Sequence, residues 1–310
     1  MYNKHKFIAW VEEYLFRPRS IFQKILSFLM LPFSYIYCAI VIAKRQKAKE
    51  IDLKIPIISI GNLTVGGSGK TPFCIALAKE YENVAIVLRG YKRGSHGTLV
   101  VSDGTTIKCD VVACGDEAML YAKSLPKNVV IVCEDRIEGI TVAKKMGVKI
   151  IFLDDGFSKS HIKKFDILLK PNPEPTNSFC LPSGPYREPK FLYDEADLTL
   201  SEGVDFQRVV TLKNPTERMI LVTAISKPYR LDPYLPDNLI AKIAFSDHYM
   251  YEVDELVDLM KKHKATSILT TQKDAVKMIS PRLTLSILEL EITISQHVKE
   301  KINAFLSQFR

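Results

Sequence analysis

At 310 residues the chain can bury one large core, or a main domain with a smaller companion. Hydrophobic residues make up 47% and charged residues 25%, which excludes wholesale disorder. The formal charge of +8 is too localised for a nucleic-acid groove: residues 1–50 carry nine Lys/Arg against Glu12, Glu13 and Glu50, so +6 lies there and only +2 on the rest.

In chain order, the first expected element is the stretch ILSFLMLPFSYIYCAIVIA, 25–43, nineteen residues without a charge. A spanning helix needs ~20 such residues, so the length is just adequate. Pro32 is expected to kink it, and Ser27 and Ser34 dilute its apolarity. A secretory leader fits poorly, because the basic run KRQKAKE follows instead of a small-residue cleavage site. Basic residues on both flanks suit anionic lipid. Segment 1–50 is therefore expected to associate with a membrane, spanning it or lying in its interface. The alternative is a hydrophobic helix packed on a soluble domain.

Short apolar runs then alternate with helical stretches. IPIISI (55–60), VAIVLR (84–89), VVIVC (129–133), KIIFLD (149–154) and FDILL (165–169) read as strands. Between them PFCIALAKEY, DEAMLYAKSL and IEGITVAKKMG read as helices. Strand and helix in alternation predict a mostly parallel α/β sheet covered on both faces, over 51–205. The proline-rich 170–189 is expected to be a long ordered loop or a domain border. Beyond it ERMILVTAI, LIAKIAF and TSILTTQKDAVKM predict a smaller α/β domain over 206–310. The six cysteines form no Cys-x-x-Cys pair and read as reduced cytosolic core residues, with little support for a zinc site.

NLTVGGSGKTP, 62–72, follows the first strand and has the outline of a phosphate-binding loop. Against the pattern G-x-x-x-x-G-K-[ST], Thr64 stands where the first glycine belongs. The physics survives that departure. Gly66, Gly67 and Gly69, with Ser68, let backbone N–H groups turn inward around an anion. Lys70 is placed to reach the β/γ-phosphates and the Thr71 hydroxyl to hold Mg²⁺. The following helix aims its positive end at the phosphates, and Pro72 is tolerated in its first turn. A partner carboxylate for Mg²⁺ is expected at a strand end, where KIIFLDDGF supplies Asp154 and Asp155.

Six further motifs follow that loop in order: RGY (89–91), GDEA (115–118), DDGF (154–157), LPSGPYREP (181–189), FSDHYMY (245–251) and TTQKDAVK (270–277). The set resembles the tetraacyldisaccharide 4′-kinase family of lipid A biosynthesis, from about residue 10 to 280. Thr64 is that family's own version of the loop. The resemblance implies a P-loop kinase fold and ATP- and Mg²⁺-dependent phosphorylation of the 4′-hydroxyl of a membrane-embedded acylated disaccharide 1-phosphate. It further implies a site on the cytoplasmic face of a Gram-negative inner membrane, with inner-membrane lipids as partners and no obligate protein partner. By the same resemblance Asp116 is the base and His248 its assistant, with Lys70 in the catalytic set. Glu117 is a further metal or substrate candidate. Arg89, Arg136 and Arg187, as forked donors, and Glu188 are candidates for holding the acceptor. Where the family usually reads Asp-Asp-Gly-Phe-Gln-His, this chain has Ser158 and Lys159, with His161 two places later.

The rival reading is a P-loop ATPase or GTPase acting as a switch on a membrane partner. Gln272-Lys273-Asp274 comes superficially close to a guanine-reading motif, but that reading accounts for neither GDEA nor SDHY.

Overall fold

The computed structural model describes residues 2–225 and 227–309. Three helices open the chain, α1 (Tyr2–Phe16), α2 (Ile21–Leu29) and α3 (Leu31–Lys47). There follow β1 (Ile57–Gly61), α4 (Lys70–Ala78), β2 (Val84–Leu88), β3 (Leu99–Asp103), α5 (Val111–Cys114), α6 (Asp116–Ser124), β4 (Val129–Val132), α7 (Arg136–Lys145), β5 (Ile150–Asp154) and β6 (Phe165–Leu169). The remainder holds β7 (Leu198–Leu200), β8 (Phe206–Lys213), β9 (Met219–Thr223), β10 (Leu239–Ala244), α8 (Val253–His263), β11 (Ser267–Thr271), α9 (Gln272–Ala275), β12 (Leu285–Ile294) and α10 (Gln296–Leu306). The chain packs as two units, each assembled from separated stretches. Residues 1–70, 155–205 and 301–310 form the first, and 71–154 with 206–300 the second.

In the first unit β6 lies parallel between β1 and β7. Every residue of β1 is buried, as a strand covered on both faces requires. The inter-element loop 170–189 is irregular but closely packed, with Cys180 and Tyr186 buried against Leu63 and Phe157. At the far end of the chain Phe305 of α10 packs on Phe165, ring centroids 4.8 Å apart.

The N-terminal helices of this unit are built inside out. Ser20 caps α2 through a reciprocal box, its hydroxyl accepting from Gln23 N–H while the Gln23 side chain accepts from Ser20 N–H. Gln23 and Ser27 of α2 and Ser34 of α3 are the buried residues. Their polar groups are satisfied: Ser27 donates to the Ser183 carbonyl at 2.9 Å and Ser34 to the Cys180 carbonyl at 2.8 Å. The large apolar side chains Phe22, Ile25, Phe28, Phe33, Ile36 and Ile40 are all more than half exposed. Instead of one kinked helix over 25–43, the chain breaks at Met30 into two helices 50° apart, with Pro32 in the first turn of α3. Among the described residues no single helix is long and apolar enough to cross a membrane.

The second unit contains two sheet portions. One runs β3-β4-β2-β5, with β2 parallel to both β4 and β5 and β3 added antiparallel at the edge. β2 and β4 are wholly buried, so their near-unbroken Val/Ile/Leu composition follows from cover on both faces. Each such side chain contributes ~1.5–3 kcal/mol on burial. The other sheet has the order β10-β9-β11-β12-β8, parallel except for the antiparallel β12–β8 ladder.

Candidate active site

Gly61 ends β1, and the next eight residues reach the start of α4 at Lys70. Within that loop Gly66 and Gly69 have φ of 89° and 82°, the left-handed region that disfavours any side chain. A Cβ on Gly67 would meet nothing within 4 Å, so that glycine leaves open space beside the loop. Thr64 is buried and bridges to Tyr186 of the proline-rich segment, and Val65 N–H donates to the Pro185 carbonyl at 2.9 Å. The off-pattern threonine therefore ties the loop's first half to its neighbour.

Asn62 organises the cradle from below. It is buried, its Nδ2 donates to the Thr64 carbonyl at 2.8 Å, and its Oδ1 accepts from Lys70 Nζ at 2.8 Å and from Arg187 Nη2 at 2.9 Å. Asp155, in the left-handed region at φ 55°, accepts both arms of the Arg187 guanidinium and lies 3.6 Å from Lys70 Nζ. Burial works against the Arg187 charge, but the Asp155 carboxylate outweighs it and raises the pKa. Lys70 and Arg187 thus share one amide and one carboxylate. Glu188 is buried and held by Arg45 of α3 at 3.2 Å, and burial raises its pKa despite that cation.

Thr71 and Asp154 meet in the second unit. The Thr71 hydroxyl donates to Asp154 Oδ2 at 3.3 Å, and buried Tyr121 of α6 donates to the same oxygen at 2.9 Å. A hydroxyl and a strand-end carboxylate oxygen at this spacing are hard oxygen donors of the kind Mg²⁺ takes, so the residues fit that ion. Tyr121 escaped the sequence reading. Its signal is a tyrosine within the buried apolar run 118–122, where the hydroxyl must find a partner.

The catalytic candidates Asp116 and His248, separated by 132 residues, are brought together. Gly115, φ 88°, turns the chain into α6, so Asp116 stands in the first turn, where the helix dipole favours a negative charge. His248 Nδ1 lies 2.9 and 3.1 Å from the two Asp116 oxygens. A carboxylate only accepts, so Nδ1 carries the hydrogen. His248 itself is in the left-handed region at φ 65°, a conformation costing ~1–3 kcal/mol for a non-glycine residue. That backbone turn aims the ring at Asp116, and Tyr91 packs edge-on against the imidazole at 5.5 Å. Burial pushes the Asp116 carboxyl up, but the His248 hydrogen bond and the charges of Lys273, His248 and Lys277 together hold it below its ordinary value. Glu117 is partly exposed and pairs with Lys273 at 3.7 Å.

The remaining candidates are placed differently. Arg89 is exposed at the end of β2. Arg136, at the start of α7, is buried, and one of its amino groups donates to the Cys133 carbonyl, so it braces the end of β4. Neighbouring Arg93 has a side chain 2% exposed and paired with Glu134 at 2.6 Å. His161 contributes its backbone carbonyl, which accepts from Ile51 N–H. Asp274 bears on the guanine alternative. It is wholly buried and accepts from the Thr223 hydroxyl, the Ala224 N–H and the Thr271 hydroxyl, so its carboxylate is engaged inside the protein. Among the described residues no group of three His, Cys, Asp or Glu is placed to hold a metal ion.

A strand, a glycine cradle, a helix opening on Lys-Thr and a strand-end aspartate on the threonine define the P-loop class of nucleotide-handling α/β proteins. Comparison with known proteins narrows that class. The profile of the tetraacyldisaccharide-1-P 4′-kinase family matches residues 26–307. The chain is 53% identical to a tetraacyldisaccharide 4′-kinase of Aliarcobacter butzleri, over 99% of this chain and all of that one. It is 45% identical to a Helicobacter pylori protein of the same description, over 97% and 96% of the two chains. The fold is similar to that of LpxK from Aquifex aeolicus, solved in complex with ATP, with a TM-score of 0.76 and 29% identity over 92% of this chain and 99% of that one. The chain belongs to the tetraacyldisaccharide-1-P 4′-kinase family.

Proposed function

We propose that the protein transfers the γ-phosphate of ATP to the 4′-hydroxyl of a tetraacyldisaccharide 1-phosphate, with Mg²⁺, at the cytoplasmic face of the inner membrane. The Asp116–His248 pair carries this reading: a sugar hydroxyl must lose a proton as it attacks, and here an ionised carboxylate is held by an imidazole N–H at 2.9 Å. Asp116 accepts the proton, and His248 fixes the carboxylate and spreads the incoming charge. Lys70 and the loop amides hold the β/γ-phosphates, a role supported by the glycine conformations and by the relative solved with ATP. Thr71 and Asp154 are the ligands for Mg²⁺, which when bound supplies neutralisation of the phosphate charge. Arg187, and the exposed Arg89, are the residues offered to the acceptor's own phosphate and sugar, with Glu188 fixed beside Arg187 by Arg45. Arg136 serves the acceptor indirectly, by bracing the end of β4.

The outward apolar face of α2 and α3 supports docking on the bilayer. Polar residues turn inward onto the 177–183 segment while phenylalanines and isoleucines face out, the reverse of a water-facing helix.

Detergent-solubilised protein incubated with γ-labelled ATP and acylated disaccharide 1-phosphate tests the reaction. Label is expected in the lipid, with ADP formed only when lipid is present. Inorganic phosphate released at the same rate without lipid would instead mark a hydrolytic switch.

A further inference from the structure

The TTQKDAVK segment is absorbed neither by the nucleotide cradle nor by the guanine alternative. Its side chains close a circuit around the proton-accepting pair, all within the second unit. Asp274 is anchored to the end of β9 by the Thr223 hydroxyl at 2.8 Å and the Ala224 N–H at 3.1 Å. Lys277, one turn on, has a side chain 1% exposed. Its Nζ lies 3.0 Å from Asp274 Oδ1 and 3.7 Å from Asp116 Oδ2, and sits 5.2 Å from the centre of the Tyr251 ring. Asp116 is bound by the His248 ring, and His248 returns to the start of the circuit because its backbone N–H donates to the Ala224 carbonyl at 3.3 Å. Lys273, 24% exposed, lies 3.7 Å from the same Asp116 oxygen.

A buried lysine is expensive to desolvate and persists only where carboxylates compensate it. For mere compensation of Asp274 a neutral pair would serve, and packing alone would favour an apolar side chain. Instead the same nitrogen faces the carboxylate that accepts the proton. The strained turn at His248 and the buried lysine converge on one group from two elements. We propose that Lys277, anchored by Asp274 and aided by Lys273, is the positioning residue that fixes the Asp116 carboxylate against His248. The inference rests on the reading of Asp116 and His248 as the proton-accepting pair. Without Lys277, the buried Asp116 and Asp274 carboxylates lose the cation they share, Lys273 remains only on the more exposed side of the pair, and Asp116 turns away from the ring.

The test compares Lys277→Met and Lys277→Arg with the wild type in three measurements: kcat and KM for ATP, thermal unfolding, and the side-chain NMR signals of ¹⁵N-labelled histidine. For Lys277→Met we expect kcat to fall roughly 10²-fold, as for an ångström-scale misplacement of a reacting group. KM for ATP stays the same, and the hydrogen-bonded Nδ1–H signal of His248 is lost. Lys277→Arg restores much of both. If Lys277→Met lowers only the unfolding temperature and keeps kcat and the His248 signal, the residue is structural and the inference is wrong. Should Lys277→Met fail to fold, Lys273→Met, at the more exposed cation, is read by the same kcat, KM and His248 signals; no change in them contradicts the proposal. Asp116→Asn and His248→Ala measured in parallel separate the two claims. If they leave kcat intact, the proton-accepting pair itself is misassigned; if they abolish it while Lys277→Met does not, only the positioning role falls.

Discussion

At the scale of the residue, the cradle depends on one amide that has no charge of its own. Asn62 receives Lys70 and Arg187 on one side and supports Thr64 on the other, so it sets where both cations point before any phosphate arrives. Asn62→Ala removes these partners from a buried position, at ~1–3 kcal/mol for the groups left unsatisfied. The expected outcome is lower stability in urea together with a raised KM for ATP; an unchanged KM would make Asn62 a packing residue only. Lys70→Ala and Asp154→Ala are expected to abolish turnover while the protein stays folded, Asp154→Ala at a cost of ~1–3 kcal/mol in stability because the buried Tyr121 hydroxyl loses its acceptor, and circular dichroism with the kinase assay checks both. The local parts of this machinery were legible, because Gly66, Gly69, Lys70 and Thr71 fall within the single stretch 66–71 and their geometry is short-range. Asn62 lies in the same motif but reads as an ordinary turn residue until its partners, one of them 125 residues away, are known. Lys277 is less legible still: a lysine four places after another lysine looks like a solvated helix face, and only the fold buries it.

At the scale of the element, α2 and α3 show how a hydrophobic run misleads. Gln23, Ser27 and Ser34 are spaced by four and seven, one helical stripe, and that stripe faces the protein. As single residues they merely weaken an apolar segment; as a stripe they identify the buried side. Phe28→Ala and Ile36→Ala on the opposite face are each expected to weaken partition onto phospholipid vesicles by ~1.5–3 kcal/mol without altering thermal unfolding. Sedimentation with vesicles measures the first effect. A loss of stability with no loss of partition would place these side chains against protein. The central strands were read within a residue or two because two-sided burial writes them as continuous apolar runs, as in β2 and β4. β8 and β12 were not, since their one-sided, antiparallel ladder mixes Gln207, Arg208, Glu289 and Glu291 with apolar residues.

At the scale of the whole molecule, sequence order suggests borders near 50 and 205, whereas packing groups 71–154 with 206–300. The antiparallel and long-range pairings that decide this grouping leave no local mark, and the same is true of the 132-residue span between Asp116 and His248. Charge, by contrast, is visible at once. With +6 of the +8 in the first 50 residues, binding to anionic vesicles is expected to exceed binding to neutral ones and to weaken as salt rises, by ~1 kcal/mol for each basic residue at the surface. Equal binding to both, at any salt, would assign the attachment to the apolar face alone. The central claim is that a phosphate cradle and an ionised aspartate–histidine pair serve one phosphoryl transfer to a lipid-borne hydroxyl. The most direct measurement is single-turnover transfer from labelled ATP to acylated disaccharide 1-phosphate by wild type and Asp116→Asn, with ATP affinity measured on both. The account predicts a transfer rate lower by roughly 10²–10⁴-fold with ATP affinity unchanged; an unaltered rate with weakened ATP binding would contradict it.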